Sequence, residues 1–137
     1  MEASRLEVIW CLVSPAVPIH GIKNFICVCI YSPPRSKLND KLTEHLQFNL
    51  NRLSALYPKS GVIIGGDVNN LDMKKLCNTY PGLINLVADP THGSRILDVI
   101  VTDLHGSYDK ATILPPIKPD YQGRGHASDH SVAIANT

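Results

Sequence analysis

The sequence lacks the features that would place it in several large classes of protein. It has no low-complexity tract, no internal repeat and no apolar run long enough to span a membrane. The N-terminus, Met1-Glu2-Ala3-Ser4-Arg5, opens with an acid and has neither the basic segment nor the apolar segment of a signal peptide. These absences favour an intracellular protein, either nuclear or cytoplasmic.

Neither charge nor cysteine spacing points to a particular ligand. The formal net charge of +1 predicts no global attraction to nucleic acid, so such binding requires a local basic patch. The four cysteines include no CxxC pair, and Cys27 and Cys29 share one face of a predicted strand. This spacing favours reduced core thiols over a disulfide framework or a zinc site.

Length and patterning predict one α/β (α+β) domain with a substantial core. The 137 residues are 44% hydrophobic, and proline and glycine separate the apolar runs. A helix is predicted from Asn39 or Asp40, which would cap it, to about Tyr57, with leucines at 42, 46, 50, 53 and 56 on one stripe. A short helical turn is predicted at Met73–Cys77. Strands are predicted at residues 6–13, 25–31, 62–64, 95–102, 111–114 and 131–135.

The central stretch of the chain places polar residues directly after a buried strand. Three β-branched residues, 62–64, are typical of a strand covered on both faces. Gly65 and Gly66 allow a sharp turn or the close approach of a bound group. Asp67 and Asn69 then present a carboxylate and an amide at the end of a rigid element. Taken alone, the stretch is explained equally well as an ordinary Gly/Asp/Asn turn.

Other polar residues also interrupt or end apolar strands. Tyr31 ends the second predicted strand, Asp98 lies within the fourth, and Asp129-His130 precede the last. Each has a structural alternative. Tyr31 fits the edge of a core with its hydroxyl in water, Asp98 fits an ion pair with Arg95 or a bond from a backbone donor, and Asp129-His130 fits a turn.

The remaining histidines and the nearby serine give weak signals. No two histidines have metal-ligand spacing, so we interpret most of the others as surface or loop residues, at positions 20, 45, 92, 105 and 126. Ser128 beside His130 suggests a serine hydrolase, but the sequence contains no GxSxG elbow.

Four short motifs follow one another along the chain: Tyr31-Ser32-Pro33, Gly65-Gly66-Asp67-Val68-Asn69, Ile96-Leu97-Asp98-Val99-Ile100 and Ser128-Asp129-His130. In this order and with compatible spacing they are specific, and they resemble the endonuclease/exonuclease/phosphatase superfamily, the magnesium-dependent phosphodiesterases related to DNase I and to apurinic endonucleases. The chain looks most like the endonuclease domain of non-LTR retrotransposon reverse transcriptases, through Ile30-Tyr31-Ser32-Pro33-Pro34 and Arg95-Ile96-Leu97-Asp98. The resemblance spans most of the chain.

The resemblance implies a DNase I-like β-sandwich flanked by helices, and hydrolysis of DNA phosphodiester bonds with Mg²⁺. By resemblance, Asp67 orients or deprotonates the attacking water, and Asn69 bonds to the phosphate or to that water. His130 contacts the phosphate, and Asp98 holds the imidazole of His130 in one tautomer. Tyr31 orients the phosphate through its hydroxyl.

The resemblance also implies residues that bind the metal and the substrate. Asp129 would help to hold Mg²⁺, because carboxylate oxygens are the ligands that this ion accepts. Lys118 and Arg124, in the loop before Asp129, would touch the DNA backbone, with solvated loop charges as the alternative.

The chain departs from the family pattern at its beginning. The family's domain starts well upstream of its Tyr-x-Pro motif, so we expect residues 1–137 to be a single truncated domain whose N-terminal half is missing. Weak Mg²⁺ binding and an exposed apolar sheet surface follow, and that surface predicts a homodimer or pairing with the missing half. Two alternatives stay open: a non-catalytic remnant acting as a binding or assembly module, and a phosphatase of a phosphoinositide or another phospholipid.

Overall fold

A computed structural model describes residues 5–104, 106–116 and 129–136 of the chain. Within that part the chain forms two helices and seven strands. The helices are α1 (Asn39–Leu56) and α2 (Met73–Cys77). The strands are β1 (Glu7–Val13), β2 (Asn24–Tyr31), β3 (Ser60–Asp67), β4 (Ile84–Asn85), β5 (Asp98–Thr102), β6 (Thr112–Leu114) and β7 (Val132–Ile134). Neither helix is long and apolar enough to cross a membrane.

The strands form one sheet of five and one of two, so the fold is mixed α/β as the sequence predicts. The larger sheet has the order β1-β2-β3-β5-β4, and β6 pairs with β7. β2 and β3 run parallel, with α1 connecting them, while the other neighbours in the sheet are antiparallel. The carboxyl ends of β2 and β3 therefore lie at the same edge as the amino end of β5.

The core lies between the five-stranded sheet and α1. Alternate residues of the central strands point to the helix and are buried, because successive side chains of a strand face opposite sides. From the helix, Leu42, Leu46 and Leu50 pack against them, as the predicted stripe requires. The stripe ends early, since Leu56 is 61% exposed. The buried strand residues of this face are Ile26, Val28, Ile30, Val62, Ile64, Val99 and Val101.

The opposite face of the sheet is covered only in part. Ile100 of β5 packs there against a second, small core of Leu86, Val87 and Ala111, to which Ile113 and Ala133 of the two-stranded sheet also contribute. Over β1 the same face is open, and Ile9 is 66% exposed. We call the β1 and β2 part of this surface, formed by Ile9, Cys11, Val13, Cys27 and Cys29, the open face.

The open face corrects the prediction for the cysteines. All four are free thiols, in agreement with the sequence, but Cys11 and Cys29 are exposed, and Cys27 is only partly buried. Core packing is therefore the wrong description of Cys29. Partial burial raises the pKa of Cys27, and neighbouring Cys11, its direct partner across the strands, adds to this effect.

Gly65 and Gly66 do not have the predicted role of allowing a sharp turn or the approach of a bound group. β3 continues through both of them to Asp67 rather than turning at Gly65. Gly66 has a φ of 150°, and a Cβ there would lie 1.8 Å from the carbonyl oxygen of Ile30. The close approach that requires glycine is thus to the backbone of the neighbouring strand.

The predicted cap of α1 is also wrong. The helix begins at Asn39, and no side chain caps its first turn. The amide of Asn39 instead accepts a hydrogen bond from the Ser32 hydroxyl at 2.7 Å and donates to the carbonyl of Asn70 at 3.5 Å. Asn39 therefore ties the helix start to the loops that follow β2 and β3.

Candidate functional site

Three of the predicted site residues occupy one row across the sheet. In the strand register Tyr31 is opposite Asp67, and Asp67 is opposite Asp98. Residues in register point to the same face, here the face opposite α1. The row lies at the edge where the carboxyl ends of β2 and β3 meet the start of β5, which explains how segments distant in sequence come together.

His130 joins this row from the segment before β7. Its Nδ1 lies 2.7 Å from Oδ2 of Asp98, and its Nε2 lies 3.8 Å from Oδ2 of Asp67. An ionised carboxylate can only accept, so Nδ1 carries the hydrogen and donates it to Asp98. That bond orients the ring and directs Nε2 towards Asp67.

The protonation state of His130 depends on the carboxylates of the row. Two carboxylates directly opposite on neighbouring strands repel each other, and an imidazolium between them offsets that repulsion. The hydrogen bond to Asp98 is the main reason why the pKa of His130 is raised, and the charges of Asp98, Asp67 and Asp129 add to it against the effect of burial. The site therefore favours the protonated histidine.

Asn69 supports the same edge from the turn after β3. Its backbone has a φ of 42°, a conformation that asparagine tolerates better than most residues. Its amide nitrogen donates to the carbonyl of Ser32 at 2.8 Å, and its backbone N–H donates to Oδ1 of Asp67 at 3.2 Å. One N–H of this amide thus serves to hold the β2 and β3 ends together.

A second polar cluster lies on the outer side of His130. Nε2 of His92 is 3.2 Å from Oδ2 of Asp129, and the rings of His92 and His130 have their centres 4.9 Å apart. The other oxygen of Asp129, Oδ1, lies 4.0 Å from Nε2 of His130. A bond from its own backbone N–H and the bond to His92 lower the pKa of Asp129.

Thr91 fixes this second cluster to the first. Its hydroxyl accepts from the backbone N–H groups of Leu97 and Asp98, both at 3.1 Å. Its carbonyl accepts from the N–H of Ser131, next to His130. The loop that carries His92 and the segment that carries His130 are therefore bonded directly to each other.

Two sets of residues could hold a metal ion among those that the structure describes. The inner set is Asp67, Asp98 and His130, and the outer set is His92, Asp129 and His130. In each set the possible ligand atoms lie within 4.8 Å of one another. Mg²⁺ prefers oxygen ligands, and the inner set offers two carboxylates where the outer set offers one.

A cleft lies beside Tyr31. It has a volume of about 480 Å³ and is bounded by Tyr31, by the loop that follows it and by the start of the described chain. Three basic side chains, Arg5, Arg35 and Lys37, line it together with one carboxylate, Glu7. This is the local basic surface that a near-neutral chain needs in order to bind a polyanion.

The structure brings together most, but not all, of the residues that the sequence indicates. Tyr31, Asp67, Asp98, Asp129 and His130 lie at one edge with Asn69, whereas Lys118 and Arg124 lie outside the described residues. The pairing of Asp98 with Arg95 is wrong, since the Arg95 guanidinium donates to Oδ1 of Asn70 at 2.8 Å.

Sequence reasoning missed two features of this region. His92, interpreted as a loop histidine, contacts Asp129 and faces His130, and its separation from them in sequence left no spacing signal. The basic residues of the cleft were also missed. For Arg35 and Lys37, proximity in sequence to Tyr31, in a Pro-rich segment, was the available signal, whereas Arg5 is distant in sequence and gave none.

No protein-family model matches the chain, and no curated protein is found to be similar to it. The function must therefore be inferred from the site itself.

Proposed function

We propose that the chain is a metal-dependent phosphodiesterase of DNA, an endonuclease with a DNase I-like fold. The observation that supports this most is the row in which Asp98 bonds to Nδ1 of His130 while Nε2 faces Asp67. A carboxylate beside a protonated imidazole offers a base for water and a positive group for a phosphoryl oxygen. Phosphodiester hydrolysis requires both.

Each residue of the row has one role in this reaction. Asp67 accepts a proton from the attacking water, or orients that water towards phosphorus. His130, kept protonated by Asp98, donates to a non-bridging oxygen of the phosphate and stabilises the charge that develops there. Tyr31 and the remaining amide hydrogen of Asn69 position the phosphate from the other side.

Mg²⁺, held in part by Asp129 as the resemblance implies, would supply further charge stabilisation on the phosphate. So few carboxylates make a poor octahedral site. We therefore expect the chain to bind Mg²⁺ weakly and to need millimolar concentrations.

The basic cleft supports DNA as the substrate. Arg5, Arg35 and Lys37 lie beside Tyr31, so a strand whose phosphate enters the site can continue along these cations. The resemblance of the four motifs to retrotransposon endonucleases favours the same substrate.

The test is nicking of supercoiled plasmid in Mg²⁺ and in EDTA. Wild type should nick only with Mg²⁺, and Asp67→Asn and His130→Ala should each lower the rate by about 100-fold or more. Asp109→Asn, an exposed carboxylate before β6, and His20→Asn, an exposed histidine at a φ of 49°, are matched controls that should keep full activity.

Three results would overturn the proposal. Nicking that is unchanged in both site variants comes from a contaminant. A folded wild-type chain that binds DNA but never nicks it is the binding module instead, and release of phosphate from a phosphoinositide, without nicking, identifies a phospholipid phosphatase.

A further inference from the structure

The outer cluster of His92, Asp129 and His130 has a different chemistry from the inner row. It contains two imidazole nitrogens and one carboxylate, whereas the inner set contains two carboxylates and one imidazole. Imidazole suits zinc and the later transition metals, while Mg²⁺ prefers oxygen ligands alone. The composition of the outer cluster therefore does not match the hard cation of phosphodiester hydrolysis.

We propose that His92, Asp129 and His130 form a binding site for a divalent transition metal of the zinc class. The site shares Asp129 and His130 with the proposed hydrolytic site, so a bound ion would take the Nε2 of His130 that the hydrolytic role directs to the phosphate. The proposal is therefore tested by metal binding alone.

The distances agree with such a site. Two ligands of a tetrahedral zinc ion are about 3.3 Å apart when each metal–ligand bond is near 2.0 to 2.1 Å. Nε2 of His92 and Oδ2 of Asp129 are already 3.2 Å apart. Nε2 of His130 lies 4.0 Å from the other oxygen of Asp129, Oδ1, so the exposed Asp129 side chain would have to rotate for all three residues to bind one ion.

The support behind His130 is also typical of a metal site. Metal-binding histidines usually donate their second ring N–H to a carboxylate, which fixes the ring and makes the metal-binding nitrogen more basic. Asp98 accepts that bond from Nδ1 at 2.7 Å, which presents Nε2 to the cluster. This arrangement is independent of the distances among the three ligands.

The backbone holds the ligands before any metal arrives. His92 sits in a tight loop in which its N–H and C=O bond to Arg95 at 3.0 and 2.9 Å. The Ser131 N–H donates to the carbonyl of Thr91 at 2.6 Å, which links the two histidine-bearing segments. Little backbone ordering is then required on binding, so the free energy of the metal bonds is available for affinity.

The experiment is titration of the full chain with Zn²⁺. Binding is measured by calorimetry and by the shifts of the imidazole nitrogen signals in NMR spectra. We expect one Zn²⁺ per chain with the signals of His92 and His130 shifted, and a large excess of Mg²⁺ should not displace it. His92→Ala and Asp129→Asn should each weaken binding tenfold or more, and Asp98→Asn should weaken it by about 10- to 100-fold.

The controls separate this site from other sources of zinc binding. His20→Asn should bind as wild type does. Bound Co²⁺ should show visible absorption without the near-ultraviolet band of a thiolate ligand, which excludes the four cysteines. Because His92 and Asp129 are 38% and 81% exposed, their variants should keep the fold. Unchanged affinity in both variants, or a thiolate band, overturns the proposal.

Discussion

The two faces of the five-stranded sheet both carry apolar side chains, but their surroundings differ. On the face towards α1, alternate residues of β2, β3 and β5 are almost fully buried. On the opposite face, Ile9 of β1 is 66% exposed, and the row of Tyr31, Asp67 and Asp98 lies at one edge. The helix face therefore supplies most of the buried core, while the opposite face carries the candidate chemistry and an exposed apolar surface.

Adding a methyl group to each of the two adjacent glycines in β3 gives the sharpest test of this comparison. Gly66→Ala should be the most damaging change, because its Cβ would lie 1.8 Å from the carbonyl of Ile30 and its φ is 150°. We expect a loss of about 4 kcal/mol or more in the free energy of unfolding, the size typical of severe backbone disruption. Urea denaturation monitored by circular dichroism measures it.

Gly65→Ala is the matched control from the other face. Its Cβ would meet only the carbonyl of Val99, at 3.8 Å, an ordinary contact. A loss of stability as large as that of Gly66→Ala would show that the contact with the Ile30 backbone is not what makes Gly66 necessary.

The next largest effect is expected within the helix-face core. Leu46 of α1 is fully buried there, so Leu46→Ala should cost about 3 kcal/mol through lost burial and a residual cavity. Phe48, two residues further along the same helix, is 67% exposed, and Phe48→Ala should change stability by less than about 0.5 kcal/mol. Equal losses in the two variants would contradict the assignment of the core to this face.

Substitutions on the open face should change the association of chains with one another more than the stability of the fold. Ile9 lies on β1, which is an outer strand of the sheet, and exposed apolar edges tend to pair with another chain. The homodimer expected from the sequence would use this face. Sedimentation should show wild type dimerising as concentration rises, and Ile9→Asp should weaken the dimer by about tenfold or more through lost apolar burial.

An equally exposed apolar residue on the helix provides the control. Phe48→Asp changes the same kind of side chain to the same charge but lies on the outer surface of α1. It should leave the dimer intact. A wild-type chain that remains monomeric at high concentration contradicts the proposal for the open face.

Much of the fold was predictable because it depends on periodicity. The apolar runs of β2 and β5 and the leucine spacing of α1 place these elements within a few residues of their observed bounds. Periodicity cannot show which face a neighbour covers. The pattern that buries Ile30 leaves Cys29 exposed, although both lie in one apolar run.

The candidate site was predictable in part for the same reason. Polar residues in apolar strands stood out, so Asp67 and Asp98 were recognisable from the sequence. The approach of His92 to Asp129, 37 positions later, depends on how two loops pack and leaves no local pattern. The contact between Gly66 and Ile30 likewise depends on the pairing of two strands.

The smallest effect expected is a dependence of stability on pH that comes from His130 and therefore from the polar edge alone. Because its pKa is raised in the folded chain, the folded state binds the proton more tightly than the unfolded state does. This contribution to stability is fully present below the ordinary histidine pKa of about 6.5 and is lost as the pH rises through the higher folded value. Among the residues that the structure describes, Asp67, Asp98, Asp129 and His92 face the ring.

Asp98→Asn removes the main cause of the shift, so the stability advantage of wild type over this variant should be largest near pH 6 and should shrink at alkaline pH. The free energies of unfolding, measured in EDTA across that range, test this. Asp109→Asn, whose carboxylate lies far along the chain from the row, should differ from wild type by an amount that does not change with pH. If the stability advantage of wild type over Asp98→Asn instead grows as the pH rises, His130 is held neutral in the folded chain. The charge arrangement proposed for the polar edge would then be wrong.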